Sequence, residues 1–117
     1  MKEIMAIIRP KNYFATKKAL IDASFNAASV REVLGRGKQR VIYDTAAGDA
    51  SREFVGIEFV AKELVDIYAR DEDVQAIIDI IIKVNQHGYP GDGKIFVLPA
   101  DNAIRLHTGE QGDDVLV

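Results

Sequence analysis

Short apolar runs and two amphipathic stretches divide the chain into four strands and two helices. Ile4 to Ile8 is an apolar run stopped by Arg9-Pro10, and proline fixes its own φ while biasing the preceding residue away from helix. It is predicted as a buried strand. From Asn12 onward Phe14, Ala15, Ala19, Leu20 and Ala23 recur at helical spacing while Lys17, Lys18 and Asp22 take the other side, the pattern of an amphipathic helix. Ala28 to Leu34 lies between Asn26 and Gly35-Arg36-Gly37 and is too short for a helix, so it is predicted as the second strand. Gly35 to about Phe59 has four glycines and no sustained periodicity; a long loop is expected, and such loops in compact domains usually carry function. Val60 to Tyr68 gives a third strand. Asp71 is placed to cap a second helix, with Val74, Ile77, Ile78, Ile81 and Ile82 as a wide apolar face up to Gln86 and Gly88 beyond its end. Ile95 to Leu98 supplies the fourth strand.

The order is that of an α+β, ferredoxin-like βαββαβ sandwich with a long loop between strands 2 and 3, its helices covering one face of an antiparallel sheet. With Ile4, Ala6, Ile8, Val33, Leu64 and Ile67 among the strand residues, the other face exposes apolar area of a kind that usually implies association. A homo-oligomer is expected.

Length and composition narrow the function. A chain of 117 residues, 48% apolar, suits one domain over 1–117. A net charge of −3 argues against nucleic acid as a main partner. The absence of cysteine removes thiolate metal sites and cysteine nucleophiles. No apolar run approaches the roughly 18 residues of a membrane span, so no membrane insertion and a cytoplasmic location are expected.

Three clusters could carry chemistry. Gly88-Tyr89-Pro90-Gly91-Asp92-Gly93-Lys94 sits between a helix and a strand, where freed backbone amides and an ammonium can surround a phosphate. It is not a Walker site, because Ile95 stands where the magnesium-binding hydroxyl belongs and the loop precedes a strand; the same residues also suit a helix C-cap and turn. Gly35-Arg36-Gly37-Lys38-Gln39-Arg40 places three cations in five residues, suited to an anion or to a solvated basic tip. Arg105-Leu106-His107-Thr108-Gly109-Glu110 is either a surface turn or a third contributor. Subunits of an oligomer could bring the clusters around one polyphosphate.

These motifs, together with Lys62, Ile95-Phe96 and Ile104-Arg105, resemble the PII signal-transduction family over almost the whole chain. The resemblance implies a trimer with three intersubunit clefts that bind ATP or ADP in competition, with 2-oxoglutarate joining MgATP. It places Gly35, Gly37, Lys38, Gln39, Gly91, Asp92, Gly93, Lys94, Arg105 and His107 at the nucleotide, with Arg105 reaching in from the neighbour. Gln39 would complete the Mg²⁺ and 2-oxoglutarate shell, and Lys62 would pair with a 2-oxoglutarate carboxylate. Three departures stand out: Lys38 and His107 replace the family's arginines, and Val41 replaces a glycine. Lysine loses the planar fork, and histidine is cationic only where pH or a phosphate favours it.

The long loop exceeds the enteric type in length, and Glu53-Phe54 stands where Glu-Tyr is uridylylated in many members. Tyr43 and Ser51 remain as modifiable hydroxyls, and Tyr43, Ser51, Glu53 and Phe54 are expected to contact the target. With Ile82-Lys83-Val84-Asn85-Gln86 and Phe96-Val97-Leu98-Pro99, these departures are most similar to the nitrogenase-associated PII branch. That branch implies dinitrogenase as target and a possible paralogue in mixed trimers; an ammonium transporter or glutamine synthetase is the alternative. A non-enzymatic regulator is expected. The rival classes are a phosphoryl-transfer enzyme on the same fold, for which His87 lacks an acid-base partner set and Arg9-Pro10 offers no acylphosphatase loop, and a ligand-free scaffold.

Overall fold

The structure, a computed structural model, describes residues 1–36, 41–44, 53–56 and 59–116. Its elements are β1 (Lys2–Ile8), α1 (Tyr13–Asp22), β2 (Ser29–Gly35), β3 (Val41–Asp44), β4 (Glu53–Gly56), β5 (Val60–Ala69), α2 (Val74–Asn85) and β6 (Gly93–Pro99). β2, β5, β1 and β6 lie side by side in that order, and every neighbouring pair is antiparallel. This is the expected ferredoxin-like α+β arrangement; β1, β5 and β6 run one to three residues beyond the expected apolar runs, and β2 is shifted by one residue.

Period-two alternation divides β1 between two environments. Ile4, Ala6 and Ile8 point to one side and join Val65, Ile67 and Ala69 of β5, Leu20 of α1 and Ile77 and Ile81 of α2 in the core. Each such isoleucine contributes roughly 1.5–3 kcal/mol by leaving water. The register corrects one expectation: Ile4, Ala6, Ile8 and Ile67 belong to the helix-covered face. The open face carries Glu3, Met5 and Ile7, with Leu64, Asp66 and Tyr68 opposite them on β5 and Lys94, Phe96 and Leu98 on β6.

Both helices are entered through a single 3₁₀ turn, Pro10–Asn12 and Asp71–Asp73. The inner face of α1 differs from the simple apolar count. Thr16 and Leu20 are buried, with Tyr13 packed partly against the core, whereas Phe14 is 76% exposed and Ala15 and Ala23 also face outward. A threonine can occupy the inner face because its hydroxyl donates to Asn12 O at 2.7 Å and accepts from Asn85 Nδ2 at 3.0 Å. On α2 the inner stripe is Ile77, Ile81 and Asn85, and Ile82, 42% exposed, falls outside the expected face. Asp71 does not cap: its carboxylate accepts a 2.7 Å bond from the Met1 amino group.

The segment between β2 and β5 is not loop throughout. β3 and β4 pair as an antiparallel hairpin, Val41 opposite Gly56 and Tyr43 opposite Phe54. Val41, Ile42, Tyr43, Phe54 and Val55 are β-branched or aromatic, and in so short a pair that preference outweighs the lack of longer periodicity. No helix among the described residues is long and apolar enough to cross a membrane.

Candidate functional site

Strand register gathers distant residues at one end of the sheet. Ile8, the last residue of β1, pairs with Gly93 at the start of β6, and Gly35, the last of β2, pairs with Val60 at the start of β5. Arg9, Gly35, Lys62 and the loop 86–93 therefore meet. Gly93 is required there: its φ is +123°, and a Cβ would lie 2.0 Å from the Ile7 carbonyl oxygen. Gly91 also has a positive φ, +94°.

The loop is organised by its own acid. Asp92 Oδ2 accepts the N–H groups of His87 at 2.8 Å, Gly88 at 2.9 Å and Tyr89 at 3.3 Å. The His87 amide leads the Tyr89 and Gly88 amides and Arg9 in holding this carboxyl below its ordinary range, against a smaller opposing effect of burial. Its side chain is thus engaged by the loop's own backbone.

Two cations hold the loop from outside. Lys62 Nζ donates to Gly91 O at 2.8 Å, and Arg9 Nη2 donates to Pro90 O at 3.0 Å and stands 3.7 Å from Asp92 Oδ1. Lys62 is 9% exposed. Burial pushes its ammonium down from the usual lysine value, Arg9 adds to that and Asp92 opposes it. An ammonium so placed gains from any anion that enters. Lys94, opposite Ile7 on the open face, is an exposed third cation. A cavity of about 450 Å³ opens beside the loop between α2 and β6, walled by Ile78, Ile81, Ile82 and Val97 and touched by Asp92 and Lys94.

The structure thus brings together Gly35, Lys62, Gly91, Asp92, Gly93 and Lys94. Gly35 lies close against Lys62, whose Cγ would be 3.2 Å from a Cβ at that position. Gly37, Lys38, Gln39 and Ser51 lie outside the described residues, while Tyr43, Glu53 and Phe54 fall on the β3–β4 hairpin. Arg105 and His107 follow β6 after it has run to the other end of the sheet, where Pro99 pairs with Lys2. There Arg105 Nη1 bonds Glu110 Oε2 at 2.9 Å and its backbone bonds Glu110 and Gly109. Sequence reasoning missed Arg9, although a cation directly after a strand that must pair with the glycine-loop strand was the available signal.

The model of the family "Nitrogen regulatory protein P-II" matches residues 1–110. A nitrogen fixation nifHD region GlnB-like protein 2 of Methanothermobacter marburgensis is 40% identical over 99% of this chain and 100% of its own length. Nitrogen regulatory protein P-II 2 of Methanothermobacter thermautotrophicus is 41% identical over 96% of this chain and 94% of its own. Among solved structures, Arabidopsis thaliana PII bound to citrate superposes with a TM-score of 0.74 at 31% identity, covering 97% of this chain and 86% of that one.

Proposed function

The chain belongs to the nitrogen regulatory P-II family, in its nitrogen-fixation-associated branch, and on that premise we propose that it senses ATP or ADP and 2-oxoglutarate and reports their state to one nitrogen-metabolism target. The observation that carries this reading is the cationic end of the sheet. Arg9, Lys62 and Lys94 surround a glycine loop whose one carboxylate, Asp92, is committed to the loop's own amides. A phosphate or dicarboxylate meets positive charge there without a competing free acid from the loop.

The residues fit the ligands in kind. Gly91, Gly93 and Lys94 offer amides and an ammonium to phosphates, and Lys62 offers a desolvated ammonium to a carboxylate of 2-oxoglutarate. No group of three acidic, histidine or cysteine side chains that could hold a metal exists among the described residues. Mg²⁺ would accordingly come with the nucleotide, held by its phosphates, the effector and Gln39, and would neutralise phosphate charge. Gly37 and Lys38 complete the phosphate contacts. In this reading Arg105 and His107 come from a neighbouring subunit, since their own sheet carries them to its far end, and the open sheet face is the surface through which a trimer forms. The β3–β4 hairpin, with Tyr43, Ser51, Glu53 and Phe54, addresses the target. The nitrogen-fixation relatives favour a component of nitrogenase as that target, and the role is regulatory, with no catalytic step.

Calorimetry tests the effector site. Lys62→Ala should abolish 2-oxoglutarate binding while ATP binding survives, and Gln39→Ala should also abolish 2-oxoglutarate binding; unchanged 2-oxoglutarate affinity in both overturns the assignment. A pull-down with and without MgATP plus 2-oxoglutarate identifies the target, which a sensor should release in one of the two states. Recovery of an ammonium transporter or glutamine synthetase instead of a nitrogenase component would replace the target.

A further inference from the structure

The far end of the open sheet face has the opposite character from the anion site. Glu3 on β1 lies directly opposite Tyr68 on β5, and Met5 opposite Asp66, so the two carboxyls occupy neighbouring positions on one face. Tyr68 donates its hydroxyl to Glu3 Oε2 at 3.2 Å. Asp66 Oδ1 is shielded from water and has no hydrogen-bond partner among the described residues. Two ionised carboxylates are acceptors only and cannot bond each other. One proton added to either supplies the missing donor.

The surroundings favour that proton. Burial and then Glu3, through hydrogen bonding and through its charge, push the Asp66 carboxyl up to about 6, with Arg31 of β2 opposing. The charged and titratable groups facing the pair are Arg31 from β2 and Tyr68 from β5. From β6 the same face receives Phe96 and Leu98, both apolar. Tyr68, Phe96 and Leu98 are 47%, 48% and 37% exposed, a large area left open around a half-buried acid pair.

Resting on the reading of this face as the contact between copies of the chain, we propose that Glu3 and Asp66 form a proton-sharing carboxyl pair that makes self-association depend on pH. A second copy laid on Tyr68, Phe96 and Leu98 removes the remaining water from the pair, and two buried carboxylates with Arg31 as their one facing cation cost more than a carboxylate bonded to a carboxylic acid. The assembled state therefore binds more protons than the separated chains. Association strengthens toward acid and weakens as pH rises through and beyond about 6, the value that Asp66 already has in the single chain. The same chemistry couples assembly of the nucleotide clefts to pH at a point remote from the phosphates.

Subunit exchange between tagged and untagged protein, followed by native mass spectrometry from pH 5.5 to 8, tests this directly. Exchange should accelerate about tenfold or more across that range in the wild-type protein, as expected for one linked proton per subunit. In Asp66→Asn the change should fall below about twofold. Glu3→Gln is the second variant, chosen so that a misfolded Asp66→Asn does not end the test. Both variants leave His87 and His107 in place, so the imidazoles are the same in every sample compared. An oligomer whose exchange is independent of pH, or whose dependence persists in the folded variants, overturns the carboxyl switch and leaves the assembly standing. A protein that is monomeric at every pH overturns the assembly itself.

Discussion

The two faces of β1 differ although they share one backbone. Ile4 and Ala6 are 0% exposed and Ile8 is 2% exposed beneath the helices, whereas Glu3, Met5 and Ile7 face outward with Asp66, Tyr68, Phe96 and Leu98 around them. The first face is completed within the chain, and its side chains decide whether the chain folds. The second is incomplete and mixes apolar groups with acids at one end and cations at the other; its side chains decide what the folded chain meets.

The strongest way to break this division is at the centre of the covered face. Ile77 is 1% exposed and lies in the core cluster, and Ile77→Ala should cost about 2–5 kcal/mol because α2 cannot collapse into the space it leaves. Urea denaturation measures it. A loss below about 1 kcal/mol would mean that this face is not the organising core.

Gly93→Ala tests the point where strand geometry becomes site geometry. Its φ of +123° and the 2.0 Å approach to Ile7 O leave no room for a methyl group. Backbone strain of this kind costs about 1–3 kcal/mol, and relief requires β6 to move away from β1 at the loop. Lower stability together with weakened ATP binding is expected, by denaturation and calorimetry on the same sample. Reduced stability with ATP affinity intact would separate the loop from the nucleotide.

Phe96→Glu probes the open face. With the side chain 48% exposed, the substitution should change the stability of the single chain by less than about 1 kcal/mol. Light scattering should nevertheless show a shift from oligomer to single chain, with far-ultraviolet dichroism unchanged. An oligomer that survives the added charge would place the contact elsewhere.

The fold was legible because its main signals are local. Ile4 to Ile8, the Pro10 stop and the Val74–Ile82 stripe report strand and helix without knowledge of partners. Which side of a strand is covered was not legible, because period two distinguishes the sides without saying which one the helices occupy; Ile4 and Ile67 were accordingly assigned to the wrong one. Phe14, expected on the inner face of α1, is exposed, and Thr16 is buried there instead, for a similar reason. A buried threonine is stable only through its bonds to Asn12 and Asn85, and the second of those partners is 69 residues away. In the site, Gly91, Gly93 and Lys94 were visible as a motif, but the roles of Arg9 and Asp92 emerge only from the β1–β6 register and from side-chain bonds to the loop's backbone.

The smallest effect contrasts two aspartates, Asp92 in the glycine loop and Asp66 on the open face of β5. Asp92 is held below its ordinary pKa of 3.8, chiefly by the His87 amide, so it contributes stability that is present above that ordinary value and is lost as pH falls through the depressed folded value. Asp66 is raised from 3.8 to about 6; its folded form holds a proton that the unfolded chain has already released, so stability declines as pH rises between those two values. Asp92→Asn should flatten the acid side of the stability profile, and Asp66→Asn the decline between about pH 4 and 6. Urea midpoints measured at intervals from pH 2.5 to 7 would show both. If Asp92→Asn left the acid side unchanged, the three amide bonds would not be favouring the charged carboxylate, and the loop would owe its shape to Arg9, Lys62 and its glycines alone.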